Sequence, residues 1–411
     1  MTTRGMAQAL AKATFDALPP VYCTTLAAGL KLLRRSPLVR PDQVNERPYS
    51  TLLKFLSLGR EKHPERAERK ALYEELRLQL VRLRDEAPSL EQKRDANRLL
   101  NGLERDEREQ KPLSYPIRGY LEITNFCNLR CPMCGQSYFE EFAGRRQHLP
   151  RETYSEIQKV LPYLDETVAT GFGEALVSPH FREIVAMLPP GGTKRLITNG
   201  VLLDKATSAR LMKSPINDYV ISFEATDRET YLFVRSADCY EKVIQNIRDL
   251  DASRKEAGRP DVSITLAFVA MEKTIRQLPE FVRRAKGYGA DRVQVSFLHV
   301  TRPDLIEQSL YHAPELANRF FTEGKRAAEE VGIHYSCPEN FEPRPSDPAR
   351  SRRVRDCYEP WEFVYFEATG KMRPCCIYPK DMGNILRNPW DEVWTGPAYQ
   401  ALRATVNSER P

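Results

Sequence analysis

The chain has 411 residues, with 62 Lys and Arg against 56 Asp and Glu, a formal charge of +6. That near balance lacks the basic excess of a dedicated nucleic-acid coat. No uncharged apolar run approaches the roughly 18 residues a spanning helix needs, which excludes such a helix. The length allows two or three domains at about 150 residues each. The nine cysteines are an odd number and argue against full disulfide pairing.

In chain order, the amino terminus shows no export signal. Its apolar patch at 21–33 contains Cys23, Thr24, Thr25 and Lys31 and reads as a helix docking one face on the protein. The cysteines are therefore expected in a reducing, cytoplasmic setting, where clustered thiols serve metal or redox chemistry. Leu72, Leu76, Leu80 and Leu83 predict a helix over 64–85, and Leu99, Leu100 and Leu103 a second over 90–110. Both carry a solvated charged face, so 1–112 is read as a helical region, ending in a linker marked by Pro112 and Pro116.

From 117 to about 300, strands are predicted at 119–124, 167–170, 194–198, 218–223, 262–269 and 292–299. Helices fall between them near 152–164, 180–188, 203–213, 239–252 and 274–288. The alternation predicts parallel βαβ units in a barrel-like or doubly wound sheet. A helix at 313–330 completes a unit spanning 113–335. A Pro/Arg-rich stretch, 338–355, opens the last segment, 336–411, in which Gly370 turns a hairpin between 363–367 and 371–373.

Cys127, Cys131 and Cys134 form a CxxxCxxC run that begins three residues after the first strand. Thiolates select iron–sulfur clusters, zinc or copper(I). Three ligands on a four-iron cubane leave one iron open, by the logic of an open zinc site. A structural zinc with a distant fourth ligand, or inert buried thiols, are the alternatives. A second group is Cys357, Cys375 and Cys376, with Cys337 as a candidate fourth ligand. Cys23 and Cys239 read as packed thiols, and His299 as a structural histidine.

The second strand ends in Gly171-Phe172-Gly173-Glu174. Two glycines let a ligand approach the backbone, and a carboxylate can hold an ammonium group. Thr198-Asn199-Gly200 ends the third strand and Ser222-Phe223-Glu224 the fourth, with Arg235 following in Glu-Thr-Tyr-x-x-x-Arg. All four motifs, the cysteine run included, fall at the carboxyl ends of parallel strands, where α/β barrels carry their active sites.

Together these residues resemble the radical S-adenosylmethionine (SAM) superfamily. The resemblance implies an α/β fold, a partial (β/α)6 TIM-like barrel with an N-terminal helical region and a small SPASM/twitch-like extension. Cys127, Cys131 and Cys134 would hold a [4Fe-4S] cluster whose open iron is chelated by SAM. Gly171, Gly173 and Glu174 would meet the methionyl end, and Asn199, Ser222 and Glu224 the ribose or carboxylate. Reductive cleavage of SAM would give a 5′-deoxyadenosyl radical that abstracts hydrogen from substrate. The sequence departs from the family at Met133, where an aromatic is common, at the inserted Phe172, and at Glu224, where Asp is usual.

Cys357, Cys375 and Cys376 would hold an auxiliary cluster, whose presence would favour oxidative chemistry. The family leads one to expect a further cysteine pair beyond Pro411, so either the chain is cut there or it holds one reduced site. The 1–112 region shows no β-hairpin signal for a leader-binding module. The expected substrate is accordingly a small sugar or natural product, with a ribosomal peptide or protein as the alternative and flavodoxin or ferredoxin as electron donor. An iron–sulfur electron carrier or a zinc-stabilised binding protein would leave the GFGE, TNG and SFE positions unexplained.

Overall fold

The structure, a computed structural model, describes residues 67–137, 146–341 and 356–408. The patch at 21–33, Cys23 and most of the Pro/Arg-rich stretch lie outside them. Helices α1 (Ala67–Glu86) and α2 (Leu90–Asp106) pack against each other, with Leu76, Leu80, Leu83, Leu100 and Leu103 all at most 4% exposed. Ser89 caps α2 by accepting the Gln92 amide at 3.3 Å, satisfying one of the unpaired amides of the first turn.

Six strands follow in chain order and lie side by side, each parallel to the next. They are β1 (Arg118–Leu121), β2 (Glu166–Ala169), β3 (Thr193–Thr198), β4 (Asp218–Ser222), β5 (Ser263–Ala270) and β6 (Arg292–Phe297). The crossovers contain α3 (Tyr154–Val160), α4 (Phe181–Ala186), α5 (Lys205–Leu211), α6 (Arg228–Arg235), α7 (Tyr240–Glu256) and α8 (Leu278–Tyr288), and α9 (Pro314–Val331) follows β6. Leu121, Leu196, Ile221, Leu266 and Val293 belong to the same buried cluster as Ile157, Ile247, Phe281 and Phe321 of the helices. On β6 Val293 and Val295 are buried while Arg292, Gln294 and Ser296 are exposed, so its other face is open.

The sheet is longer than the six strands the sequence predicts. β7 (His334–Ser336) adds beside β6, and β8 (Phe363–Phe366), between α10 (Glu359–Glu362) and the hairpin turn, lies parallel to β1. Leu121 thus stands between Ala169 on one side and Phe366 on the other. All four residues of β8 are buried. Such an apolar strand has its backbone groups satisfied by the β1 edge that would otherwise stay open. β9 (Met372–Arg373) returns antiparallel to β8 through Gly370, at φ +78°. The chain then forms α11 (Trp390–Trp394) and α12 (Pro397–Thr405).

The helical pair is bonded into this framework. Asn101 donates to the Trp361 carbonyl at 2.7 Å, and the Trp361 indole donates to the Glu109 carbonyl at 2.7 Å. Arg105 pairs with Glu362 at 2.5 Å. Arg403, 2% exposed, donates to the carbonyls of Pro360, Gln110 and Trp394. Among the described residues no helix is long and apolar enough to cross a membrane.

Candidate active site at the carboxyl end of the sheet

The loop leaving β1 is built on its own polar side chains. The Thr124 hydroxyl accepts the Phe126 amide at 3.1 Å, Asn125 accepts the Gln147 amide at 2.6 Å, and Gln136 donates to the Asn125 carbonyl. Leu129, 5% exposed, anchors the loop in the core. The Cys134 amide closes a turn on the Cys131 carbonyl at 3.1 Å. Cys131 is buried, and Cys127 and Cys134 are half-buried. Burial pushes the Cys127 and Cys134 thiols up, and the neighbouring thiols add to this. The three sulfurs therefore lie within electrostatic reach of one another. Among the described residues no three His, Cys, Asp or Glu side chains are placed to hold a single metal ion.

The Gly171–Glu174 loop packs on that loop and on β1. A Cβ at Gly173 would lie 2.2 Å from the Thr124 carbonyl oxygen and 2.5 Å from that of Phe126. One at Gly171 would lie 2.4 Å from Cγ of Glu122. The sequence reading assigned these glycines to the close approach of a ligand; here the approaching groups are the protein's own. Glu174 is 2% exposed, and its carboxylate accepts the Thr198 hydroxyl at 2.9 Å, the Asn199 amide at 2.8 Å and the Leu176 amide at 3.3 Å. It pins the end of β2 to the end of β3. Burial pushes its carboxyl up, and these bonds pull it back.

Asn199 reaches across to the cysteine loop, donating to Asn128 at 2.8 Å and lying 3.9 Å from the Cys127 sulfur. Ser222 ends β4 half-buried, facing the same end of the sheet. Glu224 does not stand free beside it. It adopts φ +58°, is 1% exposed and is ion-paired with Arg235. Arg235 in turn donates from Nη1 to the Cys131 sulfur at 3.7 Å. The Nε of Arg235 and the hydroxyl of Tyr231 are buried with no protein partner in this pocket. Three thiols on one loop, bordered by two buried donors without a protein partner, fit an anionic, sulfide-bearing group.

Cys375 and Cys376 follow β9, and Cys357 stands just before α10. Glu359 acts electrostatically on all three, and Cys375 on Cys357. Asn407 holds Cys357 by bonds to its amide at 2.8 Å and its carbonyl at 3.0 Å. Cys337 follows β7, at the opposite end of the strand order from β9. His299 is exposed. Sequence reasoning left two residues without a role. Arg235 was legible as a lone cation four residues after Tyr231, and Glu122 as a single acid between Leu121 and Ile123.

Comparison with known proteins agrees with this geometry. The radical SAM superfamily model matches residues 121–269, and that of the SPASM iron–sulfur cluster-binding domain matches 357–411. A PqqA peptide cyclase of Granulibacter bethesdensis is 26% identical over 71% of this chain and 77% of its own length. A protein of Pyrococcus furiosus that modifies the cofactor of tungsten-containing aldehyde ferredoxin oxidoreductase is 27% identical over 69% and 82%. The fold is that of Streptococcus suis SuiB, solved with its precursor peptide SuiA, at TM-score 0.56 and 16% identity over 74% of this chain and 71% of that one. The expectation of a small sugar or natural product as substrate is overturned by these relatives, named for work on a peptide and on an enzyme's cofactor.

Proposed function

We propose that this chain, which carries a radical SAM domain followed by a SPASM domain, is a maturase that acts on a ribosomally made peptide or protein. The observation that carries the reading is the match to the PqqA peptide cyclase over most of both chains.

The radical SAM domain requires a [4Fe-4S] cluster and S-adenosylmethionine, and the SPASM domain binds auxiliary iron–sulfur clusters. When bound, these groups would supply one-electron radical chemistry capable of removing a hydrogen atom from substrate. Cys127, Cys131 and Cys134 are the residues that would hold the cluster. Asn199 fixes the Cys127 side of the loop, and Arg235 places positive charge at Cys131. Gly171, Gly173 and Glu174 shape the wall for the methionyl end, with Glu174 aligning it by its bonds to Thr198 and Asn199. Ser222 presents its hydroxyl from β4. Cys357, Cys375 and Cys376 hold an auxiliary cluster beside β8 and β9, and the electron donor is a flavodoxin or ferredoxin.

The test is reductive cleavage of SAM by the anaerobically reconstituted protein, offered either the peptide and protein fraction or the small-molecule fraction of a deuterated lysate. Deuterium appearing in 5′-deoxyadenosine only with the peptide and protein fraction supports the reading. Deuterium only from the small-molecule fraction overturns the substrate class. An intact cluster with no 5′-deoxyadenosine overturns the reaction, and the Cys127→Ala, Cys131→Ala, Cys134→Ala triple variant is expected to form none.

A further inference from the structure

Glu122 follows β1 directly and is 2% exposed, a buried carboxylate flanked in sequence by the core residues Leu121 and Ile123. Burying a charge is costly unless partners compensate, and its partners come from two distant parts of the chain. Oε1 accepts the Phe172 amide at 2.8 Å, from the middle of the Gly171–Glu174 loop. Oε2 accepts the Ala368 amide at 3.0 Å, at the turn between β8 and β9. The Tyr365 side chain of β8 acts electrostatically on the same carboxylate, and the Glu122 amide donates to the Phe366 carbonyl at 2.9 Å.

The missing side chain of Gly171 makes this possible, because a Cβ there would overlap the Glu122 stem. The turn so held belongs to the hairpin that carries Cys375 and Cys376 seven and eight residues further on. Glu367, at that turn, is paired with Arg373 of β9, so the turn is anchored on both sides. One carboxylate thus bonds directly to both the Gly171–Glu174 loop and the auxiliary hairpin.

We propose that Glu122 is a positioning residue that couples SAM binding at the Gly171–Glu174 loop to the order of the β8–β9 hairpin carrying the auxiliary cysteines. The proposal rests on the assignment of that loop to SAM. A ligand that orders one end of a doubly anchored carboxylate orders the other as well, because Oε1 and Oε2 are rigidly linked.

The experiment is amide deuterium exchange on the cluster-loaded, oxidised holoprotein with and without SAM, so that no turnover intervenes. In the wild type SAM is expected to slow exchange at 170–174 and at 366–370, each by about fivefold or more. In Glu122→Gln, whose amide can satisfy only one of the two backbone donors, the loop should still respond and the hairpin should not. Tyr365→Phe leaves both backbone bonds and is expected to keep the hairpin response. A wild-type hairpin that ignores SAM while the loop responds overturns this coupling and leaves the radical SAM reading intact. A hairpin response unchanged in Glu122→Gln overturns it equally. A loop that ignores SAM overturns both the coupling and the SAM assignment. If Glu122→Gln takes up no iron, Glu122→Asp, too short to reach both amides, must show the same loss.

Discussion

Arg235 and Cys131 clasp each other at the end of α6: Nη1 of Arg235 donates to the Cys131 sulfur at 3.7 Å, and the Cys131 thiol lies 3.8 Å from the Arg235 carbonyl oxygen. The guanidinium is aimed by Glu224, whose own backbone takes a left-handed conformation that few non-glycine residues adopt. Both members of that ion pair are buried. Breaking a buried pair leaves an uncompensated charge, at a cost of about 3–5 kcal/mol, while replacing both with apolar groups is often close to neutral.

Glu224→Leu is therefore expected to lower stability by about 3–5 kcal/mol, and adding Arg235→Met to recover most of it. Urea unfolding of the four-membered cycle measures the coupling. A double variant as unstable as the sum of the singles would show that the two residues act separately. Hydrogen bonds to cluster sulfurs help set reduction potentials, so Arg235→Lys should also move the cluster midpoint in a potentiometric titration followed by electron paramagnetic resonance.

The two glycine classes give opposite outcomes. At Gly173 an added methyl meets the backbone carbonyls of Thr124 and Phe126, which cannot turn aside as a flexible side chain can. Gly173→Ala should cost about 1–3 kcal/mol and displace the cysteine loop, seen as reduced iron uptake. Gly287, inside α8, has nothing within 4 Å of its added Cβ. Gly287→Ala should stabilise by about 0.5–1 kcal/mol and leave iron uptake unchanged. Equal effects at the two positions would contradict the packing of the Gly171–Glu174 loop.

The barrel strands and the position of the cysteine run were legible because each carries a local signal: an apolar run of strand length, or a spacing of three and two residues. The pairing of β8 with β1 was not legible. Phe363–Phe366 reads as one arm of a hairpin, and nothing local states that its second edge finds a strand about 240 residues earlier. The burial of Glu224 was not legible for a related reason. A polar residue at a strand's end looks open to a ligand, and its burial depends on Arg235, eleven residues on, folding back over it. The glycines of GFGE were legible as a close approach, but the sequence could not say that Glu122 and the Thr124 and Phe126 carbonyls do the approaching.

Glu122 also sets a pH window for stability. Burial raises its carboxyl from 4.5 to about 7, the nearby Glu367 adds to this, and the Ala368 and Phe172 amides and the Tyr365 hydroxyl oppose it. Since the folded pKa is the higher, its contribution is fully present below about pH 4.5 and is lost as pH rises through about 7, a change of about 3 kcal/mol. Glu122→Gln cannot titrate, so its stability should fall less than that of the wild type between pH 5 and 7.5. Parallel wild-type and variant curves in urea unfolding would place the titration elsewhere.

Lys194 gives the opposite slope in a higher window. It is 1% exposed, and its ammonium donates to the Gly191 carbonyl at 2.9 Å. Burial, reinforced by Arg94 and opposed by Asp165, lowers its pKa from 10.5 to about 8. The unfolded chain therefore binds more protons between about pH 8 and 10.5, and stability contributed by this group rises with pH across that window. At pH 7 its full penalty is present, about 3 kcal/mol by the size of the shift. Lys194→Met keeps the apolar stem, removes the charge and gives up one hydrogen bond worth about 1 kcal/mol. The variant should accordingly be about 2 kcal/mol more stable than the wild type at pH 7, with the difference closing by pH 10. Urea unfolding at the two pH values in the presence of a thiol reductant measures both, and a variant less stable at pH 7 would mean that the Gly191 bond outweighs the buried charge.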